Sequence, residues 1–356
     1  MTESSAQEPE AKRPGIREIA LSLGISIGTV SRSMNNRYGV NARTRELVIN
    51  EARRLGYVPN KAARSLKDHP SLSIGLYFSP FRGANGEINP AALSLINAVK
   101  KSLTAAGMAL RVVLFSDLNE LKRQTDGVDV AVFYGHFEND AIAIVHAAGI
   151  PAVLLQHEAS PFEDQVSVTL DMACAGSTAT EYLAALGHER IGIVLSPLTE
   201  LHSSELLKGF KRSLEEFHLP FESEWVCEMP PELTNKEGGR TGMEKLLHGK
   251  TRPTAVIFAS DWMALGGLRA AKDAGLRVPE DISIIGFDNL DISAETDPPL
   301  TTFDVHLERE VAVLTRLVED LGQRRWNPDG ETRQVLLAPD LIRRQSCACL
   351  RPPIPA

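Results

Sequence analysis

The feature that most constrains this chain is a short run near the amino terminus, residues 24–32, with two glycines and several hydroxyl side chains. Before it, apolar residues recur at helical spacing from Ile16 to Leu23, and Gly24 suits a turn. Ser26 can cap a second short helix that begins there. Together these signals predict a helix-turn-helix.

The composition of the second helix indicates what it contacts. Val30 is its apolar anchor, and it is surrounded by small or hydrogen-bonding residues, namely Ser26, Thr29, Ser31, Arg32 and Asn35. A helix that only packed in a core would show a broader apolar stripe, whereas a helix in a DNA groove needs polar donors. We therefore expect DNA recognition. Two surface helices of an ordinary bundle are the alternative.

Charge is distributed unevenly along the chain. The whole sequence has a formal net charge of -8, yet residues 12–67 hold twelve Lys and Arg against three acidic residues. This head is strongly basic and the remainder is strongly acidic. Such a distribution is typical of a protein that touches DNA with one end.

Several spaced blocks match one known family in the same order. In the head they are Ile16-Arg17-Glu18-Ile19-Ala20, Ile25-Ser26, Thr29-Val30-Ser31-Arg32, Thr44-Arg45, Leu55-Gly56-Tyr57-Val58-Pro59-Asn60 and Ala62-Ala63-Arg64-Ser65-Leu66. In the body they include Asp261-Trp262-Met263-Ala264, Gly275-Leu276-Arg277-Val278-Pro279 and Ile284-Ile285-Gly286-Phe287-Asp288-Asn289. In these blocks the chain resembles the LacI family of bacterial transcription regulators.

The resemblance implies a specific role for residues 59–70. In the family this segment is a hinge helix that orders on operator DNA and pairs with the hinge of its dimer mate. Asn60 belongs to the matching segment, Ala63 takes the small position where the two helices approach, and Leu66 takes the place of the leucine that enters the minor groove. On composition alone the segment is a linker with a helical bias, and docking of Leu66 on the body is the alternative.

The chemistry of the head assigns candidate DNA contacts. Arg32 is the best base reader, because its guanidinium can bind guanine O6 and N7 together, and Ser26 is a second candidate. The candidates for phosphates are Thr29, Ser31, Asn35, Thr44 and Arg45. The first two helix positions depart from the family pattern, since Ile27 can at most touch a thymine methyl group and Gly28 has no side chain. We expect a double-stranded, near-palindromic operator bound by a homodimer, with bending supplying the remaining specificity.

From residue 72 onward, apolar runs alternate with amphipathic helical stretches. The predicted strands are Ser73 to Phe78, Ala109 to Phe115, Val128 to Phe133, Ala152 to Leu155, Ile191 to Leu195, Ala255 to Ala259 and Ile282 to Phe287. The predicted helices include Pro90 to Ala106, Cys174 to Leu186, Glu205 to Phe217, Gly239 to Leu247 and Asp261 to Ala274. This alternation predicts an α/β body of two doubly wound, parallel-sheet subdomains with a cleft at the carboxyl ends of the strands.

The resemblance extends to this body, which in the family has a periplasmic binding protein type I-like fold. It implies three crossings between the subdomains, near Leu170, Pro299 and Asp329. The expected divisions are a disordered tail (1–11), the helix-turn-helix domain (12–58), the hinge (59–70), an N-terminal effector subdomain (71–169 and 300–329) and a C-terminal one (170–299 and 330–356).

Polar residues that follow predicted strands are the candidates for effector binding. Asp261 and Asp288 follow apolar strands, and in relatives the position of Asp288 commonly accepts hydrogen bonds from effector hydroxyls. A turn or helix-capping aspartate is the alternative for Asp288. Trp262 suits stacking on a sugar ring, with core packing as its alternative. The further lining candidates are Phe81, Asn89 and Gln156.

Two departures from the family affect the expected ligand and the shape of the body. Where relatives usually carry an arginine that grips the effector, this chain has Glu205, with Glu200 and His202 nearby. The loss of a bidentate donor favours a neutral sugar or polyol, or a cation, over a phosphorylated or carboxylate ligand. A lost effector response is the alternative. The stretch 116–126 is also shorter than the helix that relatives tend to carry.

Other functional classes have little support in the sequence. It contains no phosphate-binding glycine loop, no nucleophile-elbow or zinc-protease motif, and no dinucleotide signature after the first strand, so we expect no catalytic residues and no cofactor. The four scattered cysteines indicate reduced thiols and no metal. With a polar amino terminus and no membrane-length apolar run, a cytoplasmic, nucleoid-associated protein is expected.

These observations predict a homodimeric, sequence-specific transcriptional regulator, more specifically a repressor, whose operator affinity is controlled by a small molecule in the cleft. A sugar or polyol is the expected effector. The alternative is a cytoplasmic small-molecule sensor or cleft enzyme whose basic head serves another partner. The two classes differ in the salt dependence of DNA binding.

Overall fold

The structure is a computed structural model that describes residues 15–34, 39–55, 57, 72–78, 88–113, 115, 117–135, 137, 139–157, 166–323 and 333–350. The predicted tail (1–11) and hinge (59–70) lie outside these residues. So do five site candidates, Asn35, Asn60, Ala63, Leu66 and Phe81.

Three helices form the head: α1 (Ile16–Leu23), α2 (Ile27–Met34) and α3 (Ala42–Arg54). Gly24 ends α1 in the left-handed conformation, with φ 63°, which a glycine adopts at little cost. Ser26 Oγ then accepts a hydrogen bond from the Thr29 amide at 3.0 Å. Asn41 caps α3 in the same way through the Thr44 amide, at 2.7 Å. The predicted helix-turn-helix and the capping role of Ser26 are confirmed.

The head has a small core of its own. It consists of the buried residues Ile19, Ala20, Val30, Val48 and Ala52. Each helix contributes to this cluster, so losing one of its apolar contacts affects the mutual placement of all three helices. A core of this size is marginal for a domain that folds alone.

The body alternates strands with helices. Its elements are β1 (Ser73–Phe78), α4 (Pro90–Ala105), β2 (Ala109–Val113), α5 (Leu118–Gln124), β3 (Val130–Tyr134), α6 (Asn139–Ala147), β4 (Ala152–Leu155), β5 (Val166–Leu170), α7 (Met172–Ala185), β6 (Ile191–Leu195), α8 (Leu201–Glu216), β7 (Val226–Glu228), α9 (Lys236–Leu247), β8 (Ala255–Phe258), α10 (Asp261–Asp273), β9 (Ser283–Ile285), α11 (Asp291–Ala294), β10 (Thr302–Asp304), α12 (Leu307–Gly322), β11 (Arg333–Leu337) and β12 (Asp340–Ile342).

Within the described part of the chain, these strands form two parallel sheets and one short antiparallel pair. The first sheet has the strand order β11-β5-β4-β3-β1-β2, and the second has the order β7-β6-β8-β9. Strand β10 pairs antiparallel with β12. Two parallel sheets with connecting helices confirm the predicted α/β body of two doubly wound subdomains.

Helices α7 and α8 cross so closely that their backbones are in contact. A Cβ placed on Gly209 would lie 1.9 Å from the carbonyl oxygen of Ala173, and one on Gly176 would lie 2.2 Å from that of Leu206. Only glycine fits at such distances. Because α8 begins at the cleft, this crossing sets the position of the residues in its first turn.

The third crossing between the subdomains differs from its expected place near Asp329. Residues 333–337 pair with β5 in the first sheet, and the chain crosses only after Leu337, before β12 begins. Our assignment of this segment to the C-terminal subdomain was therefore wrong. The reason is that β11 is an edge strand that begins with two polar residues, so its apolar run within the strand, residues 335–337, is too short to stand out. The short stretch after β2 forms α5, a helix of seven residues.

Candidate nucleic-acid interface and ligand cleft

Helix α2 turns one face inward and leaves its first turn exposed. Val30 and Ser33 are buried, and Ser33 Oγ donates to the Thr29 carbonyl at 2.8 Å. Ile27 is 45% exposed, and its neighbour Gly28 is also exposed. The helix therefore presents a short, smooth surface whose polar groups are hydroxyls and backbone amides.

Arg32 lies back along this surface. Its terminal Nη2 lies 3.9 Å from the place that a Cβ on Gly28 would occupy. Its Nε is buried and has no hydrogen-bond partner among the described residues. The missing side chain at Gly28 thus leaves room for the guanidinium over the first turn of α2. Ser26 Oγ lies 3.6 Å from the same Cβ position and 2.9 Å from the Thr29 hydroxyl.

The other described DNA candidates lie on the same small domain. Ser31 is half-buried in α2. Thr44 and Arg45 lie in the first turn of α3, where Arg45 Nη2 donates to the Val40 carbonyl at 3.4 Å. The first turns of α2 and α3 carry hydroxyl and cationic side chains, and both lie in the same small domain. That arrangement suits contacts to phosphate oxygens.

A cleft of about 870 Å³, including its open mouth, lies where the carboxyl ends of the two parallel sheets meet. The wall on the side of the first sheet is lined by Asn89, Ala91, Ala92, Tyr134, Gly135, Gln156 and His157. The wall on the side of the second sheet is lined by Ser196, Glu200, Leu201, His202, Thr234, Ala259, Ser260 and Asp288. A ligand held there contacts both subdomains at once, as expected for a doubly wound fold.

The structure brings three of the described effector candidates into this cleft. They are Asn89, Gln156 and Asp288. Gln156 and Asp288 both have positive φ values, 54° and 109°, which are uncommon for residues with a side chain. Backbone strain of this kind concentrates at functional sites, where the surrounding structure holds it in place.

The other three described candidates do not line the cleft. Glu205 lies in α8 and forms an ion pair with Lys208 one turn later. Trp262 is buried, and Asp261 is fully buried. The Asp261 carboxylate accepts hydrogen bonds from the Ser293 and Thr302 hydroxyls and the Leu290 amide, so it ties together the loops around the end of β9. Burial raises its pKa to about 6.

Three other carboxyl groups lie in or directly behind the cleft. Burial raises the pKa of Glu200 to about 7. Burial, followed by the charge of Asp261, raises the pKa of Asp288 well above its usual range. Glu310, in the first turn of α12, is 0% exposed and its pKa is raised by burial to about 7. Each of these shifts reflects the cost of removing a negative charge from water.

His202 adds an acceptor to the cleft and no positive charge. Its Nε2 donates to the Ala259 carbonyl at 3.0 Å, and its ring meets Phe287 edge-on at 5.0 Å. Burial lowers the pKa of His202 to about 4, so the ring is neutral at physiological pH. With Nε2 protonated, Nδ1 is left as an acceptor.

Sequence reasoning missed Tyr134 and Glu310. Tyr134 ends an apolar strand and has no distinguishing pattern. Glu310 has one, because it falls on the same helical stripe as the buried residues Leu314, Leu317 and Leu321. An acidic residue on the apolar face of an amphipathic helix is a signal for a buried, functional or paired charge.

The described residues contain neither a cluster of metal ligands nor a helix that could span a membrane. Over these ranges, no group of three or more His, Cys, Asp or Glu residues is placed to hold a metal ion. None of the described helices has the length and apolar character needed to cross a membrane.

Comparison with known families gives two matches on the chain. Residues 15–60 match the family described as bacterial regulatory proteins, lacI family. Residues 180–347 match the periplasmic binding protein-like domain. The first match covers the three-helix head, and the second covers most of the second subdomain, the last two crossings and the elements α12 and β11 of the first subdomain.

Similar proteins match over nearly the whole length. The "HTH-type transcriptional repressor PurR" of Pasteurella multocida is 31% identical over 343 residues, which is 93% of this chain and 98% of that protein. The "Ribose operon repressor" of Haemophilus influenzae is 31% identical over 346 residues, 94% and 99% of the two chains.

Two similar solved structures are also those of transcription regulators and match over nearly the whole chain. The Lac repressor dimer bound to operator and the anti-inducer ONPF has a TM-score of 0.67 at 26% identity, covering 95% of this chain and 100% of that one. The complex of the transcriptional regulator CelR with cellobiose has a TM-score of 0.68 at 25% identity, covering 94% and 100%.

Proposed function

Since this chain belongs to the lacI family of bacterial regulatory proteins, we propose that it represses transcription from a near-palindromic operator and that a small hydroxylated molecule in the cleft controls its DNA affinity. It is a DNA-binding regulator and not an enzyme, as its relatives over almost the whole chain are transcriptional repressors. The proposal assigns the DNA contacts to the head and the control to the body. Its site of action would be the nucleoid.

The observation that carries the DNA-binding role is the exposed first turn of α2. Ser26, Ile27 and Gly28 face solvent there, and the guanidinium of Arg32 lies over Gly28. In a major groove this geometry gives Arg32 access to a guanine edge and Ile27 access to a thymine methyl group. The hydroxyls of Thr29 and Thr44 would then contact phosphates, which fix the register of the helix.

The proposed control works through the two subdomains. A homodimer would place two heads on the half-sites of the operator, and residues 59–70 would connect each head to its body. A ligand that contacts both walls of the cleft favours one relative arrangement of the subdomains and so changes the spacing of the heads. Coupling of this kind is typically worth about 1–3 kcal/mol, or roughly 5- to 150-fold in operator affinity.

The neutral hydroxyl and amide groups of the cleft support a hydroxylated effector. Asn89, Ser196, Thr234 and Ser260 line it. One relative is named for the ribose operon, and one similar structure holds cellobiose. These names support a sugar or polyol as the class to test first. With Glu205 paired to Lys208 outside the cleft, its carboxylate is not among the groups that would touch the ligand.

The decisive experiment measures sequence preference with the full-length protein. Duplexes that bind are selected from a random pool, and the selected site is then titrated at several salt concentrations. We expect log affinity to fall steeply with log salt, because phosphate contacts release counterions. Arg32→Ala should relax preference at one base pair in each half-site, with a loss of about 1–3 kcal/mol.

Arg269→Ala is the matched control, because it removes the same side chain from the exposed face of α10 in the body. It should leave the selected sequence unchanged. A protein that selects no sequence, or whose binding is independent of salt, would support the sensor or cleft-enzyme alternative and contradict the proposal.

A further inference from the structure

Glu310 is a carboxyl group in a place where an apolar side chain would be expected. It lies in the first turn of α12, on the same helical face as the buried Leu314 and Leu317, and it is 0% exposed. Burial raises its pKa to about 7, because the charged form loses its contact with water. A leucine at this position would pack on the same face without that cost. Packing alone therefore does not account for Glu310, so its polar contact is informative.

That contact is with Gln156, which lines the cleft. Glu310 Oε1 accepts a hydrogen bond from Gln156 Nε2 at 2.8 Å, across 154 positions of the sequence. Gln156 directly follows β4, and Glu310 belongs to α12, which packs on β4 and β5. The hydrogen bond thus joins a residue of the cleft surface to a residue buried directly behind it.

The main chain of Gln156 is fixed as well. Its N–H group donates to the Val168 carbonyl of β5 at 2.8 Å. Its φ of 54° lies in the left-handed region, which residues with a side chain rarely adopt. The main chain and the side chain of this residue are therefore held by two separate elements, β5 and α12. A contact group held in this way loses little conformational freedom when a ligand binds.

The chemistry of the pair determines which end of the amide is available to a ligand. An ionised carboxyl group only accepts hydrogen bonds, so the Gln156 amide must turn its NH2 group toward Glu310. The reverse orientation would bring the amide oxygen against the carboxyl oxygens. Because Nε2 and Oε1 belong to one planar group, fixing Nε2 also fixes Oε1. Oε1, which accepts hydrogen bonds, is thus the end that Gln156 offers to the cleft.

We propose, on the premise that a hydroxylated effector controls this regulator, that Glu310 is a positioning residue, which holds Gln156 so that Oε1 accepts a hydrogen bond from a hydroxyl group of the effector. The cleft thereby selects for a donor at this place. A sugar hydroxyl supplies one, whereas an ionised carboxylate or phosphate oxygen only accepts and is disfavoured. Glu310 itself does not touch the ligand and acts through Gln156.

The Gln156 amide gives a direct readout in the full-length protein without a ligand. The side-chain NH2 groups of the seven glutamines are labelled with 15N and observed by NMR at pH 8, and the Gln156 signal is identified by its loss in Gln156→Leu. We expect one of its protons to be shifted downfield and protected from exchange with water, and Glu310→Leu to abolish both effects. Glu308→Leu, at an exposed position of the same helix, is the matched control. A Gln156 amide that exchanges as fast as those of exposed glutamines would overturn the proposal.

Binding measurements test the consequence for the effector. The full-length protein is titrated by calorimetry at pH 8 with D-ribose and with cellobiose. We expect at least one of these sugars to bind, and Glu310→Leu to weaken its binding tenfold or more. Glu310→Gln, whose carbonyl oxygen still accepts from Nε2, should change the affinity less than threefold. Equal affinity for the parent and Glu310→Leu, or no binding of either sugar, would overturn the role in effector binding.

Thermal unfolding of the ligand-free protein separates positioning from a structural role. The melting temperature should not fall in Glu310→Leu, because leucine fits the apolar face of α12. A lower melting temperature together with weaker sugar binding would assign Glu310 to folding and contradict the proposal. Selection of an operator by the same protein is a separate readout, so failure of the regulator function is distinguishable from failure of the contact between Glu310 and Gln156.

Discussion

Replacing Glu310 with glutamine should make the body more stable at alkaline pH and leave it nearly unchanged in acid. Glu310 is fully buried, and burial raises its pKa from the ordinary 4.5 to about 7. A carboxyl with a raised pKa binds its proton more tightly in the folded state than in the unfolded chain. Its contribution to stability is therefore complete below about pH 4.5 and is lost as the pH rises through about 7.

The size of the effect follows from this difference in pKa. One pKa unit corresponds to about 1.4 kcal/mol, so the ionised Glu310 destabilises the folded state by about 3 kcal/mol above pH 8. Glutamine cannot ionise, and its carbonyl oxygen can still accept the hydrogen bond from Gln156. The variant should avoid this loss of stability without losing that contact.

Urea unfolding at pH 5 and pH 8 measures the prediction. The free energy of unfolding of the Glu310→Gln variant should exceed that of the parent by about 2–3 kcal/mol at pH 8 and by less than about 1 kcal/mol at pH 5. Glu308→Gln, two residues away and exposed, should leave the difference between the two pH values unaltered. If the Glu310→Gln variant showed the same pH dependence as the parent, the assignment of a buried, protonated carboxyl would be wrong.

Two further predictions concern the packing that positions the two functional surfaces. Val30→Ala removes two methyl groups from a fully buried place in the head, so it should cost about 2 kcal/mol of head stability. Operator affinity should fall while the melting temperature of the body stays constant. A parallel loss of body stability would contradict the conclusion that the head has a core of its own. Gly209→Ala puts a Cβ 1.9 Å from the Ala173 carbonyl, so calorimetry should show a lower melting temperature of the body, whereas the exposed Lys208→Ala should change it little.

Much of the architecture could be predicted because the local signals agree with one another. The turn at Gly24 and the cap at Ser26 act within a few residues, so the helix-turn-helix needs no distant contact to be recognised. The continuous apolar strands of the body, such as Ile191–Leu195, likewise indicate burial on both faces. The edge strand Arg333–Leu337 escaped this reasoning because two polar residues open it and leave an apolar run of only three residues.

The sequence by itself determined a basic helix-turn-helix head on an α/β body, because capping, turns and apolar periodicity are encoded over short stretches of chain. Only the tertiary structure decided which polar residues share the cleft. It brought Gln156 and Asp288 into one cleft, joined Gln156 to the buried Glu310, and turned Asp261 inward to the Ser293 and Thr302 hydroxyls. The reason is that the charge and hydrogen bonding of a buried carboxyl depend on residues from about thirty to more than a hundred and fifty positions away, which meet only when the fold is assembled.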